Sequence, residues 1–406
     1  MPRTRTSGWT FTRRFRRGAF GWKSQPAIER VRQAVSEINR VARRDPILAA
    51  EGAVLFLERV SSALEHVDGS SGAIGTAVNH AVVELVAVIA GASADAKTRE
   101  MWLERLWDAH ANDEIPYIER LGDFWGELCV SREIASEWAD RLVPIVEMAW
   151  SPDPKERGFF HGTTACLSAL LCAKRYDALL ALLEKDPRPW WIYRQWGARA
   201  LAALGRVDEA IHYMEALRGF DDSPIAIARV CEEVLLAAGR VEEAYRHYAI
   251  EATRGTSYLA TYRALARKYP LKQPGELLAD LVATMPGDEG KWFATAKEAR
   301  LFEEAIRLAN RSPCDPKTLT RAAGDVAERR PEFAVEAGLA ALRWLLAGHG
   351  YEITGADVWA AYANTMKAAE NLGRAGEVRD KVRMLVARET PSEHFVTRTL
   401  GRELGL

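Results

Sequence analysis

The sequence has few of the patterns that mark an enzyme or a metal site. It contains no His-Glu-x-x-His, no Gly-x-Ser-x-Gly and no Gly-Lys-Ser/Thr phosphate loop. Its five cysteines include no Cys-x-x-Cys pair, so we expect reduced, buried thiols and a cytoplasmic location. We therefore predict a non-enzymatic protein, with no catalytic residues, no metal and no cofactor. The alternative that these absences leave open is an enzyme whose site is assembled from distant helices.

Long apolar runs are also missing. Crossing a bilayer takes about 20 apolar residues, whereas the longest candidate here, residues 81–90 (AVVELVAVIA), is short and contains Glu84. We therefore predict no membrane span. The 406 residues are 48% hydrophobic and 27% charged, which is typical of a folded chain with a large core. The sequence does not predict an oligomeric state.

Acidic residues are absent from the start of the chain, before Glu29. Residues 1–44 contain twelve arginines and lysines but two acids, a local charge of +10, although the whole chain has a net charge of −1. Within residues 1–23, which we call the basic arm, aromatic residues alternate with basic ones. The basic and aromatic residues that would contact nucleic acid are Arg13, Arg14, Arg16, Arg17, Trp22 and Lys23.

Three interpretations of the basic arm remain open. Its arginines would neutralise phosphates while its aromatic rings stack on unpaired bases, which predicts a nucleic-acid contact. An acid-free, arginine-rich segment is also typical of organelle-targeting peptides or of binding to an anionic membrane surface. The third interpretation is an extension whose Phe and Trp side chains dock onto the rest of the protein.

One segment is repeated in the middle of the chain. Residues 203–210 (ALGRVDEA) return as residues 237–244 (AAGRVEEA), so that Gly205 and Gly239 are 34 positions apart. Glycine closes a helix by adopting a left-handed conformation, and the acids that follow favour the start of a new helix. The alanine that ends each copy allows two helices to approach closely. The spacing therefore predicts pairs of helices with a period of 34 residues.

These copies resemble the tetratricopeptide-repeat family, mainly over residues 196–252. Gly197 and Cys231 stand near the position where the first helix of that family packs tightly. Leu201 and Leu235 replace the family's usual aromatic residue on that helix. The resemblance implies stacked antiparallel helix pairs, each of which buries its apolar stripe against the next.

Fainter copies at residues 174–184, 298–310 and 371–378 extend this pattern. We therefore predict an all-α fold, a tetratricopeptide-like α-solenoid with an irregular helical N-terminal half. The predicted parts are the basic arm at residues 1–23, either flexible or ordered, an N-terminal helical region at 24–150 and a helical-repeat region at 151–406.

The segment that starts at Pro187 supplies the predicted binding surface. Trp190, Trp191, Arg194 and Trp196 would anchor a protein or peptide partner, because tryptophan and arginine dominate binding hot spots. Core packing between helix pairs is the alternative for the same side chains. The function that follows is a non-enzymatic protein- or peptide-binding scaffold with a helical-repeat surface. Its alternative is a nucleic-acid-associated factor that binds through the basic arm.

Overall fold

The computed structural model describes residues 8–219, 223–389 and 395–406. Within these ranges the regular elements are helices and helical turns, and none of the described residues forms a β-strand. The predicted all-α class is therefore confirmed.

The chain forms two compact units, and the N-terminal unit ends at Val241. Two 3-10 turns, Thr10–Arg13 and Glu119–Phe124, accompany its helices. In chain order the helices are α1 (Ser24–Ala42), α2 (Pro46–Ala63), α3 (Ala73–Gly91), α4 (Ala96–Ala111), α5 (Trp125–Cys129), α6 (Arg132–Ala149), α7 (Thr163–Cys172), α8 (Tyr176–Glu184), α9 (Trp191–Ala203), α10 (Val207–Glu215) and α11 (Pro224–Ala237).

The C-terminal unit runs from Glu242 to the end of the chain. Residues Tyr245–Ala249 form a π-helical turn, and Glu289–Trp292 form a 3-10 turn. The helices that continue the chain are α12 (Val241–Ala244), α13 (Ile250–Ala252), α14 (Tyr258–Lys268), α15 (Pro274–Ala283), α16 (Phe293–Glu298), α17 (Phe302–Arg311), α18 (Pro316–Val326), α19 (Pro331–Leu346), α20 (Gly355–Asn371), α21 (Ala375–Val386) and α22 (Phe395–Leu404).

Helices that follow one another in sequence pack together within each unit. In the N-terminal unit, α9 contacts its neighbours α8 and α10 and also the next helices, α7 and α11. In the C-terminal unit, α19 contacts α18 and α20 and also α17 and α21. Contacts between nearest and next-nearest helices are typical of stacked helix pairs.

The repeated glycines form identical corners between helices. Gly205 and Gly239 have φ angles of +80° and +77°. The amide that follows each glycine donates to a carbonyl five residues earlier, as Arg206 does to Leu201 at 2.9 Å. This 6→1 hydrogen bond with a left-handed residue is the Schellman closure of a helix. The predicted helix ends at these two glycines are confirmed.

The fainter copies have the same corner, and two of them have no glycine. Lys174 and Arg300 adopt φ angles of +56° and +62°, as Gly373 does at +70°. The corresponding 6→1 hydrogen bonds run from Arg175 to Leu170, from Leu301 to Ala296 and from Arg374 to Ala369. In all five copies the fifth residue after the left-handed one is buried: Leu179, Ala210, Ala244, Ala305 and Val378. One local geometry therefore recurs from residue 174 to residue 378.

The units divide at a different place from the predicted domains. The sequence placed a boundary at residue 151, whereas α6 and α7, on either side of it, pack against each other within the N-terminal unit. The apolar core of that unit continues from the basic arm through α9. The proline-rich segment at residues 151–154 is therefore a loop inside the N-terminal unit.

Helix α3 contains the apolar run at residues 81–90 and extends beyond it at the N-terminal end. It is 19 residues long with a mean hydropathy of 1.8 over its most apolar window, enough by length and composition to cross a membrane. A helix in the core of a folded unit has the same composition. Here Ile74, Val78, Val82 and Leu85 are buried, and α3 packs against α1 and α2.

Candidate functional site

The start of α9 exposes one of the four residues predicted to bind a partner. Trp190 is 44% exposed and stacks on Tyr193, with 6.0 Å between ring centroids. Tyr193 in turn lies 5.5 Å from the ring of Trp150, which is buried. Trp191 is half-buried. Trp190 therefore forms the outer edge of an aromatic cluster whose inner rings belong to the core.

The other two predicted residues lie inside the helix packing. Trp196 is 5% exposed, and the guanidinium of Arg199 covers its ring at 5.1 Å. Arg194 is partly buried and donates from Nη1 to the hydroxyl of Tyr213 on α10 at 2.6 Å. Since Trp196 has little free surface, it packs the core, which is the alternative that the sequence left open. The structure does not bring the four side chains onto one exposed face.

Three buried polar atoms near this corner have no hydrogen-bond partner among the described residues. They are Oδ2 of Asp186, Nε of Arg194 and Nε1 of Trp196. Oδ1 of Asp186 accepts from the amide of Arg188 at 3.0 Å. Burial raises the pKa of Asp186, while that hydrogen bond and the charge of Arg194 oppose the rise. Each of these atoms is enclosed and unpaired, so it lowers the stability of the corner and offers no surface to a ligand.

The described part of the basic arm, residues 8–23, is docked on α2. Trp9, Phe11 and Phe15 are all at most 5% exposed. The rings of Phe11 and Phe15 meet that of Phe56 edge to face, at 5.8 and 5.0 Å. These rings are core residues and cannot stack on bases.

The basic side chains of the arm lie on the surface of the docked segment. Arg17 pairs with Glu65 at 3.1 Å, and Arg14 donates to Gln33 at 3.1 Å. Trp22 is 72% exposed. Arg13, Arg16 and Lys23 are exposed as well. The structure therefore separates the arm into buried rings and an exposed basic face that keeps one aromatic ring.

A groove in the C-terminal unit was not predicted from the sequence. It consists of two adjoining cavities of about 780 and 490 Å³, which share Phe302, Glu303 and Arg330. The N-terminal halves of α15, α17 and α19 line it. We call it the Phe302 groove, and its lining also includes Arg300, Leu301, Ile306, Arg307, Phe333 and Glu336.

The floor of the Phe302 groove is aromatic. The ring of Phe302 is half-buried and meets that of Phe333 edge to face at 5.1 Å. The guanidinium of Arg330 lies 4.2 Å from the centroid of the Phe302 ring. Such a cation–π contact fixes both side chains at the mouth of a groove. Phe333 is 7% exposed, so the partly exposed ring of Phe302 is the part of this floor that an apolar side chain of a partner would contact.

The rim of the Phe302 groove carries charges of both signs. Glu304 pairs with Arg307 one turn along α17. Glu303, Arg329 and Arg330 are exposed at the mouth. A rim with charges of both signs selects a partner by the arrangement of its charges and not by its net charge.

A signal for this groove is present in the repeat. Phe302 occupies the position of Val207 and Val241, the first helical residue two positions after the left-handed corner. The same position holds Tyr176 in the copy at Lys174 and Ala375 in the copy at Gly373, so an aromatic residue there is a signal that two of the five copies share. The sequence did not indicate that Arg330 and Phe333, at the start of α19, would contact Phe302.

The described residues contain no group of three or more His, Cys, Asp or Glu side chains that could hold a metal ion. None of the five cysteines, all of which are described, forms a disulfide. Burial raises the pKa of the Cys166 and Cys314 thiols to about 12. Thiols of such high pKa are poor nucleophiles at neutral pH.

The sequence matches no protein-family model and has no significant similarity to a curated protein. Function must therefore be argued from the two units themselves.

Proposed function

We propose that this chain is a non-enzymatic protein- or peptide-binding scaffold in which the helix pairs stack as in a tetratricopeptide-like solenoid. The observation that carries the proposal is the Phe302 groove, where the partly exposed ring of Phe302 lies in a groove lined by three helices. The recurrence of one corner geometry from Lys174 to Gly373 supports the stacking. Cysteines that form no disulfide, four of them buried, support a reducing compartment, and we propose the cytoplasm.

The partner of the Phe302 groove is an extended peptide segment with one large apolar side chain. Its apolar side chain would pack on Phe302 and Phe333, where desolvation is most favourable. Charges on either side of that anchor would meet Arg330 and Glu303 at the rim. Because the rim already contains both signs, a peptide with flanking residues of opposite charge fits it better than a uniformly charged one.

A random peptide display library, selected on the full chain, tests this proposal. The strongest selected peptide is labelled, and its affinity is measured for Phe302→Ala and for Trp190→Ala. We expect Phe302→Ala to weaken binding about tenfold or more, as for a central hot-spot residue. Trp190→Ala is the matched aromatic control from the corner at α9 and should bind like the wild type.

A second variant separates loss of binding from loss of fold. Glu303 is exposed in the first turn of α17, so Glu303→Arg should lower the stability by no more than about 1 kcal/mol through the helix dipole while it shifts the selected peptides toward a different flanking charge. If Phe302→Ala and Glu303→Arg both bind the peptide as tightly as the wild type, the groove is not the binding surface. If Trp190→Ala alone abolishes binding, the surface at the start of α9 takes its place.

A further inference from the structure

A second groove lies in the N-terminal unit, between α1 and α3. Its volume is about 980 Å³. Because α1 lines it from Gln25 to Arg43, it extends over roughly 27 Å at 1.5 Å per residue. Besides apolar residues at the bottom, its lining contains Gln25, Arg32, Ser36, Asn39, Arg40 and Arg43 from α1, and Ser71, Thr76, His80 and Glu84 from α3 and the loop before it.

The charges in this α1–α3 groove are nearly all positive. Arg32, Arg40 and Arg43 are exposed, and in the described part of the chain none of them has an ion-pair partner. Glu84 is the acid in the lining, and Nδ2 of Asn39 donates to its carboxylate at 3.0 Å. Three guanidinium groups without carboxylates along one helix form a surface that is complementary to a chain of phosphates.

The basic arm ends close to one end of the same groove. The amide of Asp68 donates to the carbonyl of Trp22 at 2.9 Å and so joins the segment before α1 to the loop before α3. Gln25, in the first turn of α1, and Ser71, in that loop, line this end of the groove. Trp22 is 72% exposed there, and Lys23 beside it is exposed too.

We propose that the α1–α3 groove binds single-stranded nucleic acid. Arg32, Arg40 and Arg43 contact successive backbone phosphates, and Trp22 stacks on an unpaired base at the end of the groove. A basic groove with an exposed aromatic ring is the combination by which single strands are bound without sequence preference. An acidic protein segment would also use the arginines, but it would offer a planar group to Trp22 only where it carries an aromatic side chain, whereas every nucleotide carries a planar base.

The test is fluorescence anisotropy with the full chain and a labelled oligouridylate of about 15 nucleotides. The triple variant Arg32→Ala/Arg40→Ala/Arg43→Ala should bind weakly and show a salt slope smaller by about two, since each phosphate contact contributes about 0.7 for a single strand. A charge-matched control, Lys97→Ala/Arg132→Ala/Lys155→Ala, removes three exposed cations outside the groove. It should keep the affinity and the slope of the wild type.

Trp22→Ala provides an independent readout. It should weaken binding by about fivefold to a hundredfold, the range for loss of one stacked base, and leave the salt slope unchanged because no phosphate contact is removed. All these side chains are exposed, so thermal unfolding should stay the same. Oligouridylate and oligothymidylate of equal length distinguish RNA from DNA as the source of the strand.

Three outcomes would overturn the proposal. The triple groove variant could bind like the wild type, the charge-matched control could lose as much affinity as the groove variant, or a polyglutamate peptide could displace the oligonucleotide at equal charge. The last result would assign the groove to an acidic protein segment.

Discussion

The α1–α3 groove and the Phe302 groove are built from the same kind of element but have different chemistry. The first has three arginines, one glutamate and a tryptophan at its end. The second has an aromatic floor and a rim with both charges. In both, the buried stripe of each helix is made of small and aliphatic residues, while the ligand-facing residues lie at the edge of that stripe. The core pattern therefore determines the helix pairs, and the flanking positions determine what they bind.

The largest effect should come from removing an aromatic ring that holds the arm on α2. Phe15 is 1% exposed, so Phe15→Ala should lower the free energy of unfolding of the N-terminal unit by about 3 to 5 kcal/mol. Trp22→Ala should change it by less than about 0.5 kcal/mol because that ring is exposed. Urea denaturation compares the two. Equal effects would show that the arm is not docked, and the α1–α3 groove would then lose the ring at its end.

The salt concentration should affect ligand affinity differently at the two grooves. Between about 50 and about 200 mM salt, three phosphate contacts predict a loss of roughly 20-fold in oligonucleotide affinity. Peptide affinity for the Phe302 groove should change by less than about twofold, because its rim has no excess of one sign. Titrations of both ligands on one preparation make the comparison. A similar salt dependence for both ligands would contradict the difference in chemistry.

The corners of the repeat predict a smaller effect. Gly205 has open space around its α-carbon, so Gly205→Ala tests only the left-handed backbone. Gly205→Ala should lower the free energy of unfolding by about 1 kcal/mol. Lys174→Gly should raise it by about 0.5 kcal/mol, because glycine relieves the same backbone strain. Thermal unfolding of the two variants checks the opposite signs. A loss of stability in Lys174→Gly would contradict the equivalence of the corners.

The smallest predicted effect is the pH dependence of the N-terminal unit. His110 is 2% exposed, and its burial lowers the pKa of the imidazole below 6.5. The unfolded chain therefore binds the proton more tightly, so this contribution to stability is complete above pH 6.5 and is lost as the pH falls below it. The loss should be about 1 kcal/mol or less between about pH 7 and about pH 5.5. His110→Gln should reduce this dependence of stability on pH. An unchanged dependence would show that other groups cause it.

The sequence predicted the parts of the fold that depend on local backbone geometry. Gly205 and Gly239 were recognised because glycine favours left-handed angles. Lys174 and Arg300 close the same corner without glycine, and no residue type reveals that in advance. Docking of the basic arm was one of three alternatives, since Phe15 and its partner Phe56 are 41 positions apart.

The candidate sites were harder to predict because each groove joins side chains from separate helices. Trp196 and Trp190 differ little in sequence context, yet one is buried and the other is exposed. The direction of each side chain depends on how α9 packs against α8 and α10. Likewise, Arg330 reaches Phe302 only because α17 and α19 are neighbours.

A reciprocal binding experiment tests the central claim, that two grooves of different chemistry serve two ligands. The selected peptide and the oligouridylate are each titrated into Phe302→Ala and into Arg32→Ala/Arg40→Ala/Arg43→Ala. The account predicts that Phe302→Ala loses only the peptide and that the arginine variant loses only the oligonucleotide. If either variant loses both ligands while its unfolding transition is unchanged, or neither variant loses any, the assignment of one ligand to each groove is wrong.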